Sequence, residues 1–399
     1  MKAGWIEKSL GEICSIARGG SPRPIQAFLT SESDGINWVK ISDATASGKY
    51  IYETAEKIKP SGAARSRIVK DGDFLLSNSM SFGRPYIMRT TGCVHDGWLV
   101  LSEYQESFNQ DFLYHLLGSP QVFSQFDRLA AGSTVRNLNI ELASKVIVPI
   151  PTLEEQRRIV TLFDEAFADI ATAKANAEKN LQNARELFES HLDAIVTNAQ
   201  ANGELVPLSE LATDITDGDH MPPPKVEQGL PFITIGNIDK QTRVIDFSDT
   251  FQVAREYFDG LKANKKPMRG DVLYTVTGSF GIPVLVEEDK EFCFQRHIGL
   301  IRPKADVDST WLHYLLQSPQ VFNQAADGAT GTAQKTVSLK VLRNFQVPKT
   351  STKEQLAHVE TLKSVERECR RLESIYRQKL TALEDLKKSL LHHAFTGQL

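Results

Sequence analysis

Two polar loops, GSTVRN at 132–137 and GTAQKT at 331–336, stand 199 positions apart and share one pattern: glycine, hydroxyl, two further residues, a cation and a polar residue. Arg and Lys donate to guanine edges and phosphates, Asn and Gln pair with adenine, and hydroxyls hold phosphate oxygens. Side chains of these types gather in the loops of the first half at Arg18, Ser21, Arg23, Ser79, Ser81, Arg84, Arg136, Asn137 and Asn139. In the second half they are His220, Lys225, Asn237, Thr277, Ser279, Arg296, Gln334, Lys335 and Thr336. Taken alone, each reads more readily as a solvated loop residue or a local turn bond. What lifts the group is recurrence: Ser-Phe-Gly returns at 81–83 and 279–281, and the G-[ST]-x-x-[RK]-x loop returns with it.

Motifs for other chemistry are incomplete or missing from the sequence. GATGTAQKT at 328–336 approaches a phosphate-binding loop, but Gln334 stands where the glycine before the lysine belongs. There is no G-x-G-x-x-G opening a helix, no NPPY-type loop, no HExxH and no G-x-S-x-G elbow. His392 and His393 read as charge at a helix end. The four cysteines, Cys14, Cys93, Cys293 and Cys369, form no CxxC pair, which argues against a disulfide framework and a zinc site. The expectation is a chain that is not an enzyme and carries no cofactor or metal.

The polar loops need a scaffold, and 399 residues are too many for one ordinary core. An apolar fraction of 41% and a charged fraction of 24% are those of a globular protein. No apolar run approaches the roughly 20 residues that cross a bilayer, and MKAGWIEKSL has no signal-peptide core, so the expected compartment is the cytoplasm. The net charge of −4 alone would not suggest nucleic acid. Residues 152–200 carry 5 basic and 9 acidic groups and 351–399 carry 9 and 7, a difference in sign that favours their packing together.

The chain repeats itself. FLYHLLGSPQVFSQ at 112–125 returns as WLHYLLQSPQVFNQ at 311–324 with 9 of 14 positions identical. GDFLLSNSMSFGRP (72–85) matches GDVLYTVTGSFGIP (270–283), and VIVPIPTLEEQ (146–156) matches FQVPKTSTKEQ (345–355). Between the anchors, 22–70 and 219–268 resemble each other poorly, so a common frame holds different fillings. INWVKI, GWLVLS, LPFITI and VLVEE read as strands, and the 112–125 passage as a helix broken near Ser119-Pro120. Leu113, Leu116 and Leu117 recur at helical spacing and face a core, so these words are scaffold.

After each mixed segment comes a long helix. Thr152 with Glu155, and Ser351 with Glu354, predict capping boxes, and neither following stretch contains Gly or Pro for about 40 residues. A seam runs along each: Phe163, Ala166, Ile170, Ala173, Ala177, Leu181 and Ala184 in the first, and Leu362, Val365, Cys369, Leu372, Tyr376, Leu380 and Leu383 in the second. Both step 3, 4, 3, 4, 4, 3, the spacing of a coiled coil, with small side chains on one seam facing large ones on the other. The expected fold is α+β with a pseudo-two-fold repeat: mixed α/β domains at 1–151 and 201–350, joined by helices at 152–200 and 351–399 that form an antiparallel coiled coil. Antiparallel packing would set the mixed domains at opposite ends of the rod.

In combination, the repeat of mixed domain and long helix, the GD-[FV]-L and SFG-x-P anchors, LL-x-SPQVF-x-Q, the VP…EQ helix entries and the closing HHAFTGQL resemble the specificity (S) subunit of type I restriction-modification systems over nearly all 399 residues. The resemblance implies that each mixed domain is a target recognition domain reading one half of a split site in double-stranded DNA. It implies that the coiled coil sets the spacing and docks two methyltransferase (M) subunits, with restriction (R) subunits joining in the full complex. Adenine methylation and cleavage would then belong to those partners. The competing reading is a solitary DNA-binding or scaffold protein of the same architecture, acting without methyltransferase partners.

Overall fold

The computed structural model describes residues 4–78, 83–130, 137–221, 223–332 and 334–399. Ser79, Ser81 and Arg136 lie outside them. The chain forms two compact units, 1–177 with 378–399, and 178–377. Each long helix is therefore shared: Leu153–Asn202 gives its first half to one unit and its second half to the other, and Thr352–Phe395 does the reverse.

In the first unit a frame sheet forms from β1 (Ser15–Arg18), β2 (Tyr50–Ile51), β3 (Phe74–Ser77), β4 (Pro85–Met88) and β5 (Trp98–Ser102), in the order β1-β5-β3-β4-β2. In the second unit β6 (Ala212–Asp217), β7 (Val272–Thr275), β8 (Pro283–Leu285) and β9 (Ile298–Pro303) give the order β6-β9-β7-β8. These strands are apolar at successive positions because both sheet faces are covered. Phe74 and Leu76 pack on Phe112, Leu116 and Leu117 of the helix Gln110–Leu117, whereas Leu75 turns to Val39, Val69 and Val94 of the filling. The second unit repeats the division, with Val272 and Tyr274 facing Trp311 and Leu315, and Leu273 facing Ile233 and Phe294.

The fillings are also sheets. Around a parallel pair, Asn37–Val39 with Gly92–Val94 in the first unit and Phe232–Ile233 with Cys293–Phe294 in the second, they differ in extent. The first has a further strand, Arg67–Val69, beyond that pair.

The repeated words turn out to be joints. Asp73 Oδ2 accepts from Lys70 N and Asp271 Oδ2 from Met268 N, both at 2.9 Å, which explains the GD anchors. Gly83 and Gly281 of the SFG anchors sit at φ +79° and +89°, and a Cβ at Gly281 would lie 2.7 Å from Phe322. Gln125 brackets Ile147 with two backbone bonds, at 2.8 and 3.0 Å, and Gln324 brackets Gln346 at 2.9 and 2.6 Å. The buried Gln156 takes Asn109 N at 2.7 Å and donates to Ser107 and Pro151 carbonyls. Gln355 does the same for Asp308 N, Asp306 and Thr350. The Ser351–Glu354 capping box is complete. At the first helix Thr152 caps Glu155 N at 3.3 Å, while the Glu155 carboxylate is gripped by Arg158.

The helices pair within each unit. In the first, the Phe163 and Phe395 rings lie 5.8 Å apart and Lys174 reaches Glu384 at 3.4 Å. In the second, Arg185 faces Glu373 at 3.6 Å, and Leu192 and Val196 share a core with Val359 and Leu362. Numbers rise along one helix as they fall along the other, so the pairing is antiparallel. Phe163, Ala177, Ala184, Leu362 and Cys369 are buried; Ala166, Ile170, Ala173, Leu181, Val365, Leu372, Tyr376, Leu380 and Leu383 are half-buried. The tightest packing extends past that seam to Ile159, Leu192, Val196, Leu391, Ala394 and Phe395. Among the described residues no helix is long and apolar enough to cross a membrane.

Two predictions follow from this packing. Replacing Gln156 or Gln355 by Ala leaves one amide and two carbonyls without their partner, and is expected to lower unfolding free energy by about 1–3 kcal/mol in denaturant titration. His115, set against Phe163 and Phe167, and His313 are both pushed down to about 4 by burial. The folded chain keeps them neutral while the unfolded chain protonates near pH ~6.5, so stability is full above that pH and falls as the pH drops toward 4. His115→Phe is expected to flatten this slope by about half, measured as denaturation midpoints from pH 7 to 5.

Candidate nucleic-acid interface

Where β1 ends, Gly19 passes under the loop that precedes β5 so closely that a Cβ would fall 1.9 Å from the His95 carbonyl oxygen. In the second unit Gly218, after β6, passes the Phe294 carbonyl at 2.0 Å. Only glycine permits that crossing, and it brings four loops to one place in each unit. The same backbone bonds hold both. Gly19 N donates to Trp98 O and Gly218 N to Ile298 O; Gly20 N to Val94 O and Asp219 N to Phe294 O. Asn78 N donates to Gly97 O and Val276 N to His297 O; Leu138 N to Asn78 O and Val337 N to Val276 O.

On this common frame the side chains differ. In the first unit Asp96 is the hub: its carboxylate accepts from Ser21 Oγ at 2.7 Å and pairs with Arg23 at 3.4 Å, and its carbonyl accepts from Arg18 Nε at 3.1 Å and Asn78 Nδ2 at 2.9 Å. The Ser21 bond first, and then the Arg23 guanidinium, hold the Asp96 carboxyl below the usual carboxylate range. Burial keeps neighbouring His95 low. Arg23 is 80% exposed, so its ion pair orients the guanidinium without consuming it. A cavity of about 510 Å³ opens beside it, lined by Ser21, Arg23, Trp38, Lys40, His95 and Asp96.

In the second unit the polarity is exchanged. The ladder position of Arg18, opposite Leu99, is held by Asp217, opposite Gly299, and the loop position of Asp96 is held by Arg296. His220 lies 3.4 Å from Asp217, and Lys265 reaches Asp217 at 3.9 Å and Asp219 at 3.6 Å. Thr336 bridges both Thr277 and Thr330, with Gly278 N on Lys335 O. His220, Thr277, Arg296, Gln334 and Thr336 thereby line one cavity of about 320 Å³. Burial, and then Arg296, keep His297 low at its wall.

The remaining sequence candidates lie elsewhere or are engaged locally. Asn139 caps the helix Ile140–Ser144, and Asn137, just before it, has a buried Oδ1 that meets no donor among the described residues. Arg84 is exposed and closes the β3–β4 hairpin through Ser77. Ser279 sits in the matching exposed turn, its carbonyl accepting from Thr275. Lys335 is exposed. Lys225 lies on the filling sheet over the Phe251 ring, and the buried Asn237 spends its amide on Thr234 and Asp249. Asp96, Asn78, Asp217 and Lys265 are not among the sequence candidates, although both crossings fall in Gly- and Pro-rich stretches, RGGSPRP and DGDHMPPP. Among the described residues no group of three His, Cys, Asp or Glu side chains gathers as a metal site. The arrangement presents donors and acceptors on loops, and among the described residues no nucleophile, base and oxyanion donor stand in register.

Known proteins share this organisation. The family model for the type I restriction modification DNA specificity domain matches residues 2–181 and again 201–382. The type I restriction enzyme EcoBI specificity subunit of Escherichia coli is 22% identical over 99% of this chain and 86% of its own length. The MjaVIII specificity subunit of Methanocaldococcus jannaschii is 22% identical over 90% and 88%. Among solved structures, a chain from work on complex assembly and conformational transition of the type I R-M system aligns with a TM-score of 0.79 at 21% identity, covering 100% of this chain and 99% of that one. The HsdS subunit of Thermoanaerobacter tengcongensis aligns at 0.63 with 20% identity, covering 100% and 98%. With the family model matched twice, once in each half, this chain belongs to the type I restriction modification DNA specificity family.

Proposed function

We propose that this chain is the DNA-reading subunit of a type I restriction-modification complex, in which each unit reads one half of a split, asymmetric site. The observation that carries this reading is the repeated backbone frame with exchanged side chains: Arg18 and Asp96 in one unit stand where Asp217 and Arg296 stand in the other. One frame presenting two unlike sets of donors and acceptors reads two unlike sequences. Asp96 serves as a positioner, holding Arg18, Ser21 and Arg23 in place before DNA arrives, and Arg296 is the principal donor of the second set.

The long helices set the distance between the half-sites and dock two methyltransferase subunits, with restriction subunits joining afterwards. Because a DNA turn is about 34 Å, a rigid helical spacer leaves an unread stretch between the halves. Methyl transfer and cleavage belong to the partners, and the complex works in the cytoplasm on double-stranded DNA. A chain of net charge −4 has little electrostatic affinity of its own, so the partners supply most phosphate contacts.

Two outcomes are expected. The isolated chain binds DNA weakly at physiological salt, and sequence-selective binding appears when the methyltransferase is added; tight selective binding by the chain alone, in electrophoretic or anisotropy titrations, contradicts the reading. In cells carrying the chain and its methyltransferase, Arg296→Ala is expected to relax one base of one half-site by about 1–3 kcal/mol of discrimination. Mapping methylated adenines checks this, and relaxation in both halves or in neither would sink the assignment.

A further inference from the structure

A second polar cavity, remote in sequence from these loops, lies wholly within the second unit. It spans about 430 Å³ between the segment around Arg243 and the helix Ser309–Gln317, with Lys363 and Arg370 along another wall. Arg243 enters it from a left-handed backbone, φ +56°, a conformation that costs a non-glycine residue energy and persists where the surroundings impose it. Its half-buried guanidinium donates to Gln317 Oε1, and no carboxylate among the described residues comes within ion-pair distance of it. The nearer acids are engaged or remote. Glu366 already accepts from Tyr314 Oη at 2.7 Å and from Arg370 at 2.6 Å, and Glu189 acts on Arg243 only through space. Glu287 and Glu288 line the same cavity without reaching it.

The first unit shows what this arrangement lacks. There too the filling lays a cation on the frame helix, but Lys49 Nζ meets Asp111 at 2.6 Å, and Tyr50 Oη adds a second bond to that carboxylate at 3.0 Å. Asp111 is the second residue of the helix Gln110–Leu117. The second residue of the helix Ser309–Gln317 is Thr310, which lines the cavity. Where one unit supplies the anion from its own helix, the other leaves a space and a cation lacking its partner. A half-buried cation in that state is destabilising unless an anion from outside completes the pair.

We infer that this cavity is a binding site for a small carboxylate-bearing molecule, held by Arg243 in the space lined by Thr310, the counterpart of Asp111. The planar fork of a guanidinium matches a carboxylate, and the volume of this open cavity admits a short dicarboxylate. Lys363 lines the same cavity and supplies a second cation. This site is independent of the DNA-reading loops and stands whether or not those loops are assigned correctly.

The test is thermal unfolding of the full chain with succinate, against NaCl at matched ionic strength and against inorganic phosphate. Succinate at ~20 mM is expected to raise the melting temperature by about 2–4 °C. Arg243→Gln is expected to abolish the response. Thr310→Asp, which restores an internal carboxylate, is expected to melt at or above the wild-type temperature and to be insensitive to succinate. A wild-type response equal to that of NaCl, a response to phosphate alone, or a Thr310→Asp chain that still responds to succinate would each overturn the inference.

Discussion

The constraint on which the structure depends is that neither unit can close its core with its own repeat. The first unit buries Leu391, Ala394 and Phe395, from the far end of the chain, against Phe112 and Phe163. The second buries Leu192 and Val196, from the helix that begins in the first, against Val359 and Leu362. Each helix is thus anchored at its start by a glutamine in its own repeat, Gln156 or Gln355, and near its end by the other repeat. Gln121 bonds His392 at 2.7 Å and Gln320 bonds Asp193 at 2.7 Å, so the same word of the repeat performs that second anchoring twice. The first of these helices runs 50 residues with no Gly in its body, and as in most proteins its stability rests largely on the packing that fixes its two ends.

That anchoring separates what must stay constant from what can differ. The joints are backbone-directed: Asp73 and Asp271 accept from N–H groups, Gln125 and Gln324 bracket a strand, and Gly19 and Gly218 permit a crossing. None of these requires a particular side chain on the loops that the crossing gathers. Arg18 can therefore give way to Asp217, and Asn78 to Val276, without disturbing the bonds beneath. The same freedom explains why the filling sheet carries an additional strand in one unit and still packs on the frame through a parallel pair.

Much of this was legible because it is local. Helix starts announce themselves by hydroxyl and carboxylate three residues apart, the break at Ser119-Pro120 by a residue that cannot continue the helix, and the fold class by the repeat itself. The Thr152 cap shows the limit: Glu155 has Arg158 three residues ahead, and that competing cation draws its carboxylate. The hub at Asp96 was not legible, since its partners Arg18, Ser21 and Asn78 reach it across as many as 78 positions and only after the glycine crossing has formed. Residue type also misleads where one side chain suits two tasks. Asn237 and Asn139 have the amides that read bases, but those amides equally satisfy helix and turn N–H groups.

The exchange of charge between the units bears on why so neutral a chain can serve a polyanionic ligand. A uniformly basic surface would bind DNA of any sequence and would compete with the discrimination that the loops provide. Here two cations are held by acids of their own loop cluster: the exposed Arg23 by Asp96, and the half-buried Lys265 by Asp217 and Asp219. An acid beside a cation lowers its pull on bulk phosphate and fixes its position, so a pair of this kind exchanges electrostatic attraction for a defined donor geometry. Placing the acid on the loop in one unit and on the edge strand in the other makes the two sets of side chains unlike in geometry as well as in composition, on a nearly symmetric backbone.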